Sequence, residues 1–403
     1  MKLTVTSDPD SAKDIILRKI TSLNYKNINY QSNLDGLLEK IPEISKKELQ
    51  KFADKKFDSF LENGFVFSET SGTTGNPLPT PRNSIDYKWN TLNQITAYKR
   101  HLQSGQDRIA VLHPSILSPF IEASISALQL LNIGYLRIYP IPNVCNYERI
   151  ISVLERYKVT AIMSTPSLVY KLLYECKKIT GNYPTYLKKI LLTGEFISSH
   201  NLNNMRRMLG DHSKVVPFVY GSSEAASLMY GIEDGGYVGF ESDFIFEVVP
   251  YSDATEITIN EEQYAYSGCL LVSWLRSGLL PIIRYNTNDF VKVRKTNDQF
   301  VFYPQGRIID YPISLKNRIE LDKILYSDND NVIYNYTLRA NNSLSKVEIT
   351  VITDNTEKKL SEFCKDKISV LFPKSKIDIR YNEGEFLNFS PKPKYDIYLK
   401  FND

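Results

Sequence analysis

Cysteine is scarce in this chain. Cys145, Cys176, Cys269 and Cys364 are the four in 403 residues, far apart, with no CxxC pair and no zinc-ligand spacing. That pattern excludes a disulfide framework and fits unpaired thiols in a reducing cytoplasm. An extended apolar stretch is also missing. Residues Met1 to Asp10 have no apolar core of the kind a signal peptide needs. The most apolar window, about Ile125 to Pro142, is interrupted by Asn132, Arg137 and Pro140, too broken to span a bilayer. The expectation is a cytoplasmic protein with no membrane partner. The net charge is only +3 and no block of Lys or Arg occurs, so nucleic acid is not an expected partner. Internal repeats and low-complexity linkers are absent as well.

What is present is a length and a composition, 42% hydrophobic and 24% charged, sufficient for a large domain plus a smaller one. From Asp14 to about Lys56 the pattern is helical, broken at Pro42 and restarting through Ser45 as a cap. Helical windows at Ile121–Leu131, Tyr147–Tyr157 and Ser167–Lys178 then alternate with apolar runs at Arg108–Leu112, Tyr135–Tyr139, Ala161–Ser164 and Lys189–Leu192. Continuous apolar strands between helices predict a largely parallel sheet covered on both faces. After Tyr220 the texture becomes β, with strands expected at Phe244–Val249, Glu256–Asn260, Cys269–Ser273, Phe290–Val293 and Phe300–Tyr303. Beyond about Asp310, strands at Val332–Arg339, Lys346–Thr353 and Lys376–Tyr381 with a helix from Glu357 to about Leu371 make a compact α+β unit. The fold class is α/β: a large N-terminal domain over residues 1–306 with a small β region, a short hinge, and a small C-terminal domain over 307–403.

The run Thr70-Ser71-Gly72-Thr73-Thr74-Gly75-Asn76-Pro77 stands out, because a hydrophobic core has no use for so many hydroxyls and glycines together. Glycines let consecutive backbone N–H groups approach an anion, and hydroxyls add donors without fixed charge. A Walker A loop needs a Lys-Ser/Thr pair after its last glycine, and Asn76-Pro77-Leu78 follow instead. The dinucleotide fingerprint of spaced single glycines is missing too.

Five later segments complete the pattern: Leu192-Thr193-Gly194-Glu195, Val219-Tyr220-Gly221-Ser222-Ser223-Glu224, Ile283-Arg284-Tyr285-Asn286-Thr287-Asn288-Asp289, Gly306-Arg307-Ile308-Ile309-Asp310 and Ser390-Pro391-Lys392-Pro393-Lys394-Tyr395-Asp396. In this order they resemble the adenylate-forming superfamily of acyl-CoA synthetases, nonribosomal-peptide adenylation domains and luciferase-like enzymes. The early loop, and Ile41-Pro42-Glu43-Ile44-Ser45-Lys46-Lys47-Glu48-Leu49 before it, look most like the compact phenylacetate-CoA ligase and capsule-biosynthesis branch. The resemblance implies a mobile C-terminal lid and assigns Thr70, Ser71, Gly72, Thr73, Thr74 and Gly75 to the β- and γ-phosphates of ATP. Gly194 and Glu195 fall in a nucleotide-binding segment. Tyr220 offers adenine a flat face, Gly221 and Ser222 border the substrate, Ser223 donates to the α-phosphate, and Glu224 is a hard oxygen ligand for Mg²⁺. Asp289 can accept both ribose hydroxyls, and Arg307 lies near the ribose. Lys394 would stabilise the charge that builds when a carboxylate attacks the α-phosphate, with Lys392 as the alternative register.

The pattern departs from the family in places. Ile309 stands where the hinge usually has Asp or Lys, Lys316 where a loop often has glycine, and Leu78 where the phosphate loop often ends in lysine. The acid is open. Ile121-Glu122-Ala123-Ser124-Ile125 is similar to an adenylation-domain run in which the carboxylate holds a substrate ammonium, while His113 could line an aryl-acid pocket. The function implied is ATP- and Mg²⁺-dependent conversion of an amino, aryl or fatty acid to acyl-AMP. Transfer to a thiol follows, on a phosphopantetheine carrier protein or on CoA. A self-acylating acyl-protein synthetase and a nucleotide-binding relic are the alternatives.

Overall fold

The computed structural model describes residues 2–22, 32–70, 77–113, 119–140, 144–251, 264–296, 299–308, 311–328, 330–353, 355–357, 359–383 and 397–400. The N-terminal segment supplies β1 (Leu3–Val5), α1 (Pro9–Ser22), α2 (Leu34–Leu38), α3 (Lys46–Lys55) and α4 (Phe57–Asn63). The expected restart at Ser45 is a full capping box: the Ser45 hydroxyl accepts from the Glu48 amide and the Glu48 carboxylate accepts from the Ser45 amide.

Strand and helix then alternate through α5 (Ser84–Lys99), β2 (Arg108–Leu112), α6 (Pro119–Leu130), β3 (Gly134–Ile138), α7 (Tyr147–Arg156), β4 (Ala161–Ser164), α8 (Pro166–Thr180), β5 (Lys189–Leu192), α9 (Ser199–Leu209) and β6 (Lys214–Pro217). The strands form a five-stranded parallel sheet in the order β3-β2-β4-β5-β6. Successive side chains point to opposite faces. Ile109, Val111, Ala161, Met163 and Val216 accordingly pack under α5 and α6, and Ala110, Leu112, Ile162, Ile190 and Val215 pack under α7, α8 and α9.

The β texture after residue 218 becomes β7 (Val219–Ser222), β8 (Ala226–Gly231), β9 (Tyr237–Gly239), β10 (Phe244–Val249), β11 (Tyr266–Trp274), β12 (Tyr285–Thr296) and β13 (Gln299–Arg307). This region is larger than expected. With β1 on its edge it makes an eight-stranded antiparallel sheet, ordered β1-β10-β11-β12-β13-β9-β8-β7. The expected strand at Glu256–Asn260 lies outside the described residues. The sheet ends at Arg307, and a separate four-stranded sheet follows from α10 (Leu315–Tyr326), β14 (Ile333–Ala340), β15 (Lys346–Thr353), α11 (Glu362–Leu371), β16 (Lys376–Glu383) and β17 (Ile397–Lys400), ordered β16-β15-β14-β17. α11 starts later than expected because the Ser361 hydroxyl caps it by accepting from Cys364. Lys316, expected in a loop, stands in the first turn of α10.

The two parts meet across a layer of tyrosines. Tyr170 of α8 stacks on Tyr326 of α10 at 6.0 Å, and Tyr334 of β14 meets Tyr174 edge-on at 5.3 Å. The hydroxyls of Tyr183 and Tyr334 lie 2.8 Å apart, Asn204 donates to the Ile333 carbonyl at 2.7 Å, and Arg207 donates to the Asp328 carbonyl at 2.9 Å.

Candidate nucleotide site

The residues flanking the run of hydroxyls and glycines form a short antiparallel ribbon. Val66 bridges Arg82 and Glu69 bridges Pro79, the Thr70 amide donates to the Leu78 carbonyl, and the Leu78 amide returns a bond to the Thr70 hydroxyl. Thr70 and Leu78 are buried. Ser71, Gly72, Thr73, Thr74 and Gly75 lie outside the described residues.

Three residues from separate segments converge. The Tyr220 hydroxyl donates to Asp289 Oδ2 at 2.6 Å, and Arg307 Nε reaches Asp289 Oδ1 at 3.5 Å. Asp289 and Arg307 face each other because β12 and β13 pair in that register, and a bulge at Phe290/Val291 bends the ladder there. Burial pushes the Asp289 carboxyl above its ordinary value, while Arg307 and the Tyr220 hydroxyl pull it back. Burial, and then the Asp289 carboxylate, raise the Tyr220 phenol well above its ordinary value, so it remains a donor. Each carboxylate oxygen keeps lone pairs for further donors.

Glu224 occupies the turn between β7 and β8. It is buried, and its Oε1 lies 3.1 Å from Lys46 Nζ. Lys46 is the first residue of α3, brought here because the Ile44 amide donates to the Arg284 carbonyl and the Asn286 amide donates to the Ile44 carbonyl. The sequence reading missed Lys46 as a site residue. Its signals were the Ser45 cap immediately before it and its place in the Ile41–Leu49 run. Ser223 is half-buried in the same turn, and the Ser222 hydroxyl accepts from the Ala225 amide.

Two expected site positions also have a structural part in the fold. Gly221 is required by the hairpin itself: a Cβ there would lie 2.1 Å from the Ala226 carbonyl oxygen, so the missing side chain makes room for this chain's own backbone. The Glu195 carboxylate accepts from the Ser167 amide at 3.0 Å and hydroxyl at 2.7 Å, capping the start of α8, and Gly194 makes the preceding turn at a φ of 81°.

The acid-side residues are dispersed. His113 is buried at the end of β2 with its ring 6.4 Å from Phe120. Glu122 of α6 is paired with Arg137 at 2.7 Å, so its charge is already matched within the chain. Lys392, Lys394, Ile309 and Asp310 lie outside the described residues.

The donor set fits a nucleotide with a divalent cation. Glu224 is one hard, buried carboxylate, and Mg²⁺ is commonly held by one or two carboxylates plus substrate phosphates. No group of three His, Cys, Asp or Glu side chains among the described residues could hold a metal by itself. No helix among them is long and apolar enough to cross a membrane.

No protein-family model matches the chain, and no curated protein matches it by sequence. Solved structures do match. A 2-hydroxyisobutyryl-CoA ligase in its postadenylation state, in complex with 2-HIB-AMP, superposes with a TM-score of 0.73 at 14% identity over 97% of this chain and 87% of the ligase. The same ligase in its thioesterification state, with 2-HIB-AMP and CoA, gives 0.62 at 16% identity over the same shares. An anthranilate CoA ligase in complex with anthranoyl-AMP gives 0.55 at 13% identity over 82% of this chain and 65% of that enzyme. The chain therefore has the fold of the acyl-CoA ligases crystallised with acyl-adenylates.

Proposed function

We propose that the chain is an ATP- and Mg²⁺-dependent acid–thiol ligase. The observation that carries this reading is the convergence of Tyr220, Asp289 and Arg307: the resemblance had assigned them, from three separate segments, to one nucleotide. The fold of acyl-adenylate-bound CoA ligases supports it. In this reading a substrate carboxylate oxygen attacks the α-phosphorus of ATP, the bond to the bridging oxygen breaks, and pyrophosphate leaves. The product is acyl-AMP, a mixed anhydride. A thiolate then attacks the acyl carbon and AMP departs with the bonding electrons, leaving a thioester; the thiol proton passes to solvent.

Asp289 accepts the ribose hydroxyls and Arg307 holds that carboxylate in place. Ser223 donates to the α-phosphate, the Thr70–Gly75 run takes the outer phosphates, and Lys46 faces them from α3. Glu224 would hold Mg²⁺, which when bound screens charge between the phosphates. Lys394 stabilises the developing charge at phosphorus. The acceptor is a thiol, either CoA as in the fold neighbours or the phosphopantetheine arm of a carrier protein. Self-acylation has less support: Cys176, Cys269 and Cys364 are buried, and burial pushes the Cys269 thiol up to about 12.

The test is acid-dependent exchange of pyrophosphate into ATP with a panel of amino, aryl and fatty acids, followed by CoA or a phosphopantetheinylated carrier. Exchange with one class of acid is expected, and a response confined to amino acids would give Glu122 its ammonium-binding role. Silence across the whole panel would leave only a nucleotide-binding relic.

A further inference from the structure

Arg82 is a buried guanidinium with no place in the reaction as described. It is 1% exposed, yet a fully buried charge costs several kcal/mol unless its bonds repay it. Its backbone belongs to the base of the phosphate-loop ribbon, where the Arg82 amide donates to the Val66 carbonyl at 2.8 Å and its carbonyl accepts from Phe65 and Val66. Its side chain leaves that ribbon and crosses to the turn carrying Ser223 and Glu224. Nη2 donates to the Ser223 carbonyl at 2.5 Å and to the Glu224 carbonyl at 3.3 Å. The guanidinium lies over the Trp274 ring at 5.2 Å, and the Trp274 indole donates to the next carbonyl, Ala225, at 2.9 Å. Three successive carbonyls of one turn are thus held from behind by one cation and the ring on which it rests.

We infer that Arg82 is a positioning residue for metal-bound nucleotide, setting Ser223 and Glu224 relative to the Thr70 end of the phosphate ribbon without touching substrate. This rests on the nucleotide reading above. Turning the turn's carbonyls backward leaves the Ser223 and Glu224 side chains to face the phosphates. A purely space-filling role would be served as well by an apolar side chain, which could not hold the two carbonyls.

The test compares the full-length protein with Arg82→Met and Arg82→Lys by calorimetric binding of ATP with and without Mg²⁺, and of adenosine, which has no phosphate and needs only the Tyr220–Asp289–Arg307 side. For Arg82→Met we expect MgATP binding about tenfold weaker, as for loss of a charged hydrogen bond. Adenosine affinity should stay within about twofold on the same scale, since the nucleoside contacts are untouched. Arg82→Lys should recover part of the loss, because an ammonium can reach one carbonyl, and it carries the test if the methionine variant does not fold. If Arg82→Met, or Arg82→Lys where the methionine variant does not fold, binds MgATP as the parent protein does, or if MgATP and adenosine weaken together, the positioning role is overturned. Failure of the parent protein to bind either MgATP or adenosine would instead overturn the nucleotide reading, and this inference with it.

Discussion

Asp289 is held by two neighbours of opposite character, a phenol that donates and a guanidinium that neutralises, and both act on the carboxylate that the ribose would use. Replacing it with Ala removes the acceptor and leaves Arg307 without its partner. ATP affinity should fall about tenfold or more, the scale of a charge-assisted hydrogen bond, and unchanged affinity by titration calorimetry would remove the ribose assignment. Lys46 makes a different prediction. It pairs with the carboxylate proposed for the metal, so cation binding must compete with an ammonium already at 3.1 Å. Lys46→Ala should lower the Mg²⁺ concentration needed for half-maximal ATP binding while weakening affinity at saturating Mg²⁺; an unshifted Mg²⁺ titration removes Lys46 from the phosphate side. Lys394→Ala should cut pyrophosphate exchange by about 10²- to 10³-fold, the cost typical of losing one preorganised charge-stabilising group, with ATP binding nearly intact. If Lys392→Ala does this instead, the register of the C-terminal motif moves by two residues.

At the scale of elements, the β7–β8 hairpin is the part most sensitive to shape. Ala226 takes a φ of 70°, a conformation a side chain rarely adopts, directly beneath the carbonyl that approaches Gly221. Gly221→Ala should therefore destabilise the protein by about 1–3 kcal/mol through overpacking and displace Ser223 and Glu224 with it. The checks are urea unfolding and ATP affinity on the same sample, and a stable variant with normal affinity contradicts the packing argument. Much of the element pattern was legible before the fold was known. β2, β4 and β5 occupy the residues their apolar runs indicated, because a strand covered on both faces writes its burial into adjacent residues. The hairpin at residues 219–231 was not legible as strand. Its Gly and Ser content reads as loop, and its two strands pair with each other and with β9 in a way its own periodicity does not reveal.

Across the whole molecule, the C-terminal unit is docked on α8 and α9 by buried tyrosines, and one carboxyl is caught at the seam. Asp322 of α10 is 2% exposed, close to Ser198 at the start of α9, with Lys323 as its charged neighbour. Burial pushes its carboxyl up to about 7, while Ser198 and Lys323 pull it back. The folded form therefore holds this proton more tightly than the unfolded chain. Its contribution to stability is complete below the ordinary carboxylate range and is lost as pH rises toward 7. Asp322→Asn, which cannot ionise, should melt at nearly the parent temperature near pH 4 and progressively above it toward pH 8. A melting-temperature difference that does not grow with pH would show that the carboxyl is not held at the seam in this way.

The run of hydroxyls and glycines, the order of the motif segments and the parallel sheet could all be read from the chain, since each is written in neighbouring residues through composition, spacing or period. The tertiary structure decided what meets what. Tyr220 reaches Asp289 through the order of an antiparallel sheet, Lys46 reaches Glu224 because residue 44 pairs beside β12, and Arg82 reaches the Ser223–Glu224 turn from the base of a ribbon. Strand order and register arise from burial summed over the whole core, so a local stretch of sequence carries no record of them.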